Sequence, residues 1–399
     1  MKPAHAASQS TYDALSLQFR QRLVASLMET KNLRSPTLQQ AFLITPREAF
    51  VPFFYERLTD QKMEWKQKQA HQMSPEEYLA LIYTDQPLVT HIDERGWPIS
   101  SSSMPSVMGK MLEALDVRPG QKVLEIGTGT GYNAALLARL TGRPCLVTTI
   151  ECDEMLAARA EKALQAVIGD GIAVQRGDGF QGYAPFAPYD RLIATASVSV
   201  LPQAWIEQLA PGGRLVMDLQ GSLASGFLVL EKTATGAEGY FLAEPLHFMP
   251  LITKKISSSK KTSMSHLLQQ PVYASFLLQK DDAFPEKFFD PAFRWFLQWR
   301  IAGCQVWNQK QVQRESGAEI HAISAIDPGS RAVVRFQRQA NEEVWQGKVY
   351  GSINFWQNLQ HTYEEFVSLG NPQQSSYRLI VQQAETMLIT GSFSFKLPF

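Results

Sequence analysis

Three glycines at alternate positions, Gly127, Gly129 and Gly131, punctuate the stretch KVLEIGTGTGYNAALLA from Lys122 to Ala138. The residues before them, Val123 to Ile126, read as a short apolar strand. Those after them, rich in alanine and leucine, read as a helix. A strand, a glycine turn and a helix N-terminus in direct succession predict an open α/β sheet with a ligand site at the turn. Glycine lets the backbone turn sharply there and approach a ligand closely, because no Cβ intervenes.

Spacing separates the ligands such a turn can serve. A dinucleotide fingerprint places its third glycine three residues after the second, to seat a pyrophosphate on the helix N-terminus. Here that position is Tyr132, and the third glycine falls one place early. Alternating glycines behind an acid-bearing strand (Glu125) suit a ligand without phosphates, such as S-adenosylmethionine with its zwitterionic end. A second strand, Cys145 to Ile150, leads to Glu151, where an acid accepts hydrogen bonds from ribose hydroxyls. The ordered set favours S-adenosylmethionine over a nicotinamide dinucleotide.

The following elements keep the same order. Ala173 to Gln175 is a short strand before Gly177-Asp178-Gly179, where Asp178 is placed to accept from an adenine amino group; its alternative role is that of a plain turn residue. Tyr189 to Ala194 is the next strand and leads to Thr195 at the crevice. A helix (Pro202 to Leu209), a stop at Pro211-Gly212-Gly213 and a strand (Arg214 to Leu219) follow, with Gly226 to Leu230 and Tyr240 to Phe248 as a closing hairpin. Strands alternating with helices predict a mostly parallel sheet.

VLEIGTGTGYNAALLA, RGDGFQGYAPFAPYDRLIATA and LPQAWIEQLAPGGRLVMDL resemble the successive motifs of protein-L-isoaspartate O-methyltransferases. Upstream, ITPREAFVPFFY (Ile44 to Tyr55) is similar to the family's Pro-Arg and Phe-Val-Pro motif, and YTDQPLVT (Tyr83 to Thr90) to its Tyr-x-Asp-x-Pro-Leu element. The resemblance covers Ile44 to Leu251. It implies a Rossmann-like α/β methyltransferase fold with a mostly parallel seven-stranded sheet, S-adenosyl-L-methionine as cofactor, and an aspartyl or isoaspartyl carboxylate of a protein or peptide as acceptor. It also implies that Glu125, Gly127, Thr128, Gly129, Gly131, Tyr132, Glu151, Cys152, Gly177, Asp178, Gly179 and Thr195 form the cofactor site.

The segment ISSSSMPSVMGKMLEAL (Ile99 to Leu115) departs from the family pattern. Ser103 falls on the family's active-site serine and Pro105 on its proline, but Met104 lies between them, Ser106 replaces a histidine, and Ser101 and Ser102 replace Thr-Ile. These residues are the expected acceptor-binding set, with Ser103 orienting the carboxylate. The opposing reading of Ser100 to Ser103 is a polar loop before a helix at Val107 to Leu115, with Ser106 as its N-cap. The insertion-like HIDERGWP (His91 to Pro98) and the serine run are similar to longer methyltransferases that tailor ribosomal peptides, which leaves isoaspartyl repair and peptide tailoring as two roles for one mechanism. A small-molecule or RNA methyltransferase on the same fold is the alternative, and a cofactor-fold binding protein the non-enzymatic one.

Lys+Arg 38 balances Asp+Glu 38, which argues against a nucleic-acid partner. No apolar run reaches membrane-spanning length, and MKPAHAASQS lacks the apolar core of a signal peptide, so a cytoplasmic location is expected. Cys145, Cys152 and Cys304 form no metal-ligand spacing, so no metal is expected, and they read as reduced, buried thiols. At 399 residues the chain divides in this reading into a helical substrate segment (1–98), the cofactor-binding core (99–251), a lysine- and serine-rich linker (252–266) and an α+β accessory domain (267–399). Within the first segment Leu15, Phe19, Leu23 and Leu27 form one helical stripe, and Met63 to Gln72 reads as a solvated helix or loop. In the last, Asp290-Pro291 and Ser352 open helices, Ala332 to Phe336 and Val344 to Tyr350 pair across Ala340-Asn341, and Tyr377 to Val381 pairs with Thr386 to Thr390. The expected role of this domain is recognition of a partner or leader peptide, or dimerisation.

Overall fold

Val123 to Ile126 are all buried, as expected of a strand covered on both faces at the centre of a parallel sheet. The computed structural model describes residues 3–58, 64–252, 264–279, 284–312, 319–339, 342, 344–382 and 385–397. The chain divides into two compact units. The first is Met1–Asp218 with Leu228–Glu238 and Leu246–Lys254; the second is Leu219–Phe227, Gly239–Pro245 and Lys255–Phe399.

The first unit begins with α1 (Pro3–Glu29), α2 (Pro36–Ile44), β1 (Phe53–Arg57), β2 (Trp65–Gln69), α3 (Pro75–Ile82), β3 (Leu88–Ile92), β4 (Pro98–Ser102) and α4 (Pro105–Leu115). It continues through β5 (Val123–Ile126), α5 (Tyr132–Thr141), β6 (Val147–Glu151), α6 (Glu154–Val167), β7 (Ala173–Arg176), β8 (Tyr189–Val198), α7 (Gln203–Glu207) and β9 (Leu209–Gln220). Then come β10 (Ser225–Lys232) and β11 (Gly236–Phe241), whose residues are divided between the two units. β5 pairs in parallel with both β6 and β8, and β6 with β7. From β5 the chain winds outward to β7, then returns to the other side of β5 as β8. The crevice at the carboxyl ends of β5 and β8 is therefore a topological switch point, where open α/β sheets bind ligands.

The first hundred residues are not purely helical. β1 to β4 form an antiparallel sheet in the order β2-β1-β3-β4, and β2 occupies part of the stretch expected as helix or loop. Trp65–Gln69 is too polar to show strand periodicity; it is a strand because it pairs residue for residue with Phe53–Arg57. Ser100 to Ser102 belong to β4 rather than to a loop. Helix α4 starts at Pro105 with Met104 at its N-cap, so Ser106 is inside the helix and does not cap it. The strand expected at Tyr240 to Phe248 is Gly236–Phe241, and β9 runs through Pro211 to Gly213 instead of starting after them. Cys304 is buried, whereas Cys145 is exposed. Residues 253–263 of the expected linker, Met63 and the Ala340-Asn341 turn lie outside the described residues.

The second unit contains α8 (Met264–Leu267), β12 (Val272–Leu278), α9 (Phe284–Lys287), α10 (Pro291–Arg300), β13 (Gln305–Val312), β14 (Glu319–Asp327), β15 (Ala332–Gln339), β16 (Trp345–Tyr350), α11 (Ile353–Ser368), β17 (Arg378–Gln382), β18 (Glu385–Thr390) and β19 (Phe393–Leu397). Five strands form an antiparallel sheet, β12-β16-β15-β14-β13, and β17 to β19 form a meander. Asp290 and Ser352 cap α10 and α11 through side-chain oxygens. These helices meet an aromatic cluster in which Phe276 stacks on Trp356 at 4.6 Å and Phe284, Phe293, Phe336 and Tyr363 pack edge to face.

Gly347 makes room for that stack: a Cβ there would stand 2.3 Å from the Phe276 ring. Gly347→Val is therefore expected to destabilise this unit by about 1–3 kcal/mol through overpacking, seen as a lower urea midpoint with near-ultraviolet circular dichroism as the probe.

Candidate active site

Gly127, Gly129 and Gly131 have φ of 91°, 54° and 86°, the left-handed region that a side chain makes costly. At Gly127 the space is also taken, since a Cβ would lie 3.0 Å from Thr195 Oγ. That hydroxyl sits 2.7 Å from Gly127 O and 3.2 Å from Ile126 O, tying the end of β8 to the turn. Gly131 precedes α5, with Ala160 and Leu164 of α6 closing against it.

Two carboxylates hold the turn from different sides. Glu125 is 0% exposed, and its oxygens accept from Asn133 Nδ2 and Thr149 Oγ, each at 2.7 Å. Thr149 Oγ in turn lies 2.7 Å from Thr128 Oγ. Burial pushes the Glu125 carboxyl up from 4.5 to about 7. Glu151, at the end of β6, accepts from Gly129 N at 3.0 Å through one oxygen and from Cys152 N and Asp153 N at 2.9 and 3.1 Å through the other. The Cys152 thiol is pushed up to about 11 by burial and the neighbouring Glu151 charge, so it stays protonated at neutral pH. Asp178 accepts from Phe180 N through one oxygen, and Gly179 O accepts from Trp205 Nε1 at 2.9 Å. Tyr132 is buried against Phe42 and Phe50, so it ties the start of α5 to the N-terminal segment.

The serine strand reaches this turn. A Cβ on Gly129 would stand 3.6 Å from both Ser100 Oγ and Ser101 O. What fixes the strand is Arg47, fully buried. Its Nε donates to Ser102 Oγ at 3.2 Å, Nη1 to Ile82 O and Thr84 O at 2.8 and 3.2 Å, and Nη2 to Gln86 O, Ser102 O and Ser103 O at 3.1, 3.1 and 3.0 Å. Burial lowers the guanidinium to about 10, so it remains cationic at neutral pH. Asp85, in the same cradle, accepts from Ser106 N at 2.8 Å and caps α4 in place of an N-cap side chain. Ser103 and Met104 link β4 to this capped helix, and the Ser103 hydroxyl has no hydrogen-bond partner among the described residues. Arg47 and Asp85 stand in motifs already visible in the sequence; their structural roles needed three segments to be brought together.

A cavity of about 370 Å³ adjoins the turn, lined by Ala49, Phe50, Phe53, Thr90, Gly129, Thr130 and Leu156, with Arg159 and Lys162 from α6. Arg159 lies over the Phe53 ring at 5.3 Å. The volume falls within the range of small-molecule sites.

The family model for protein-L-isoaspartate(D-aspartate) O-methyltransferase matches residues 61–256. A protein-L-isoaspartate O-methyltransferase of Ignicoccus hospitalis is 34% identical over 241 residues, covering 59% of this chain and 98% of that protein. Protein-L-isoaspartate O-methyltransferase 1 of Rhodopseudomonas palustris is 36% identical over 237 residues, covering 58% of this chain and 82% of its own length. The chain belongs to the protein-L-isoaspartate O-methyltransferase family. A solved structure of a protein-L-isoaspartate O-methyltransferase matches 94% of this chain and 98% of its own with a TM-score of 0.50 at 20% identity, a likeness of fold. Within this family member, no helix among the described residues is long and apolar enough to cross a membrane.

Arg47→Met is expected to lower the unfolding free energy by on the order of 3–5 kcal/mol, because it strands several buried carbonyls at once; urea unfolding measures it. A pH test isolates Glu125. With the folded carboxyl raised, the native state holds its proton longer than the unfolded chain, so stability falls as pH rises from 4.5 to about 7. Glu125→Gln lacks that slope, and its stability relative to the unmutated protein should rise by on the order of 3 kcal/mol across the window, read from urea curves at both ends.

Proposed function

We propose that this protein is an S-adenosylmethionine-dependent carboxyl O-methyltransferase that esterifies an aspartyl or isoaspartyl side chain of a protein or peptide. The observation that carries the reading is the convergence at Gly129: Glu151 holds its N–H, and the Ser100–Ser103 segment arrives against it at the switch point. The residues present fit the cofactor. The turn from Gly127 to Gly131 contains no cation for a phosphate, and Glu151 has further lone pairs for ribose hydroxyls. The N-terminus of α5 favours a carboxylate, and the second oxygen of Asp178 suits an amino donor. Glu125 acts from beneath the turn by holding Asn133 and Thr149. Bound, S-adenosylmethionine supplies an electrophilic methyl group on a sulfonium.

The chain's own residues then have a limited task. A carboxylate with a reference pKa of about 4 is ionised at neutral pH, so no general base is needed. Ser103 holds one acceptor oxygen and leaves the other facing the crevice, and the surrounding segment excludes water. In the product ester the carbonyl carbon is open to attack by the following backbone amide nitrogen, which closes a succinimide and releases methanol. Repair of isoaspartyl damage is the role we favour, from the family membership; tailoring of a ribosomal precursor peptide would use the same steps. Three free cysteines suit the reducing cytoplasm that we assign to this protein.

Methyl transfer to a short isoaspartyl peptide and to its aspartyl twin tests the reading. Transfer to the isoaspartyl peptide alone is expected. Transfer to neither, with cofactor binding confirmed by calorimetry, would shift the assignment to a dedicated precursor. Ser103→Ala should lower kcat/KM by on the order of 10²-fold through lost positioning, with cofactor affinity unchanged.

A further inference from the structure

The five-stranded sheet of the second unit has two chemically different faces. One carries Phe276, Phe336 and Val349 towards the aromatic cluster. On the other, α8 covers one end, where Leu267, Ile326 and Val333 pack with Tyr350. Beyond that end, strand alternation places two cross-strand rows on this face. The first is Trp307–Ser324–Arg335–Lys348–Ser275, and the second Gln309–Ala322–Gln337–Gln346–Leu277. Neither row contains a carboxylate. Trp307 and Leu277, at the outer strands, are 49% and 67% exposed.

Arg335 stands at the centre with 7% exposure, yet its partners are all neutral and all side chains. Nη1 donates to Gln309 Oε1 at 3.2 Å and Ser324 Oγ at 3.4 Å. With the Gln337 amide oriented oxygen-inward, that oxygen accepts from Nε at 3.1 Å and Nη2 at 3.2 Å. Arg47, by contrast, is locked by five backbone carbonyls. Lys348 sits directly opposite Arg335 in register and has no anionic partner among the described residues. Two like charges at directly opposed positions repel, and a buried cation without an anion is costly. An anion between them would turn that repulsion into a bridge.

We infer that this face is a binding site for an acidic peptide segment in extended conformation. A carboxylate would bridge Arg335 and Lys348, the amides of Gln309, Gln337 and Gln346 would pair with peptide groups, and Trp307 and Leu277 would bracket the chain with apolar contacts. Two cations flanked by amides suit isolated carboxylates better than the continuous phosphate array of a nucleic acid. The site does not depend on methyl transfer, so it stands or falls separately from the proposed activity.

The test is fluorescence anisotropy on the full chain with a labelled peptide of alternating glutamate and alanine, its glutamine–alanine twin, and labelled oligothymidylate. The acidic peptide should bind about tenfold more tightly than its twin, and added salt should weaken it. Arg335→Gln and Lys348→Gln should each weaken it about tenfold while methylation of a short isoaspartyl peptide is unchanged. Lys348→Gln, at a less buried position, decides the matter if Arg335→Gln fails to fold. Equal binding of the two peptides, a Lys348→Gln variant with full affinity, or tighter binding of the oligonucleotide would each overturn the inference.

Discussion

A guanidinium without water around it has to place all five of its N–H groups on acceptors, and in this protein that requirement falls on Arg47. Its acceptors come from residues 82–86 and 102–103, so these two segments have little freedom once the cation is buried. The consequences spread from there. Asp85 is brought under the first turn of α4, and Ser103 is placed at the exit of β4. Glu48, next in sequence, accepts from Tyr83 and Ser16, which extends the same knot to α1. The segment that carries Ser103 is thus held by a fully buried cation.

The glycine turn depends on a division of labour between two glutamates. Glu125 lies in the closed interior, satisfied by Asn133 and Thr149, and burial raises its pKa. Glu151 stands at a strand end, where backbone N–H groups gather around its carboxylate. Side-chain type is identical; position relative to the sheet separates a carboxylate held by side chains beneath the turn from one held by backbone N–H groups at the strand end. The return of the chain from β7 to β8 sets the switch point beside β5, and Thr195 at that end of β8 is tied to Gly127 O.

Legibility in the sequence followed the strength of local signals. The glycine turn, its strand and helix, and the Asp290 and Ser352 caps were readable because each needs only neighbours in the chain. Ser106 does not cap α4, since the capping oxygen comes from Asp85, twenty-one positions away in the chain. The polar β2 and the serine strand β4 carry no local signature because pairing partners, not periodicity, make them strands. Arg335 and Lys348 carry no local mark at all; only the register of β15 against β16 makes them neighbours.

By itself the sequence determined the strand–turn–helix unit, the acids of β5 and β6, and the alternation of strands and helices, because backbone sterics and hydrophobic periodicity act over short distances. Tertiary structure decided how each of those acids is hydrogen-bonded, what holds Ser103, and which cations share a sheet face. Those outcomes depend on burial and on hydrogen bonds between segments far apart in the chain, and such terms exist only once the segments meet.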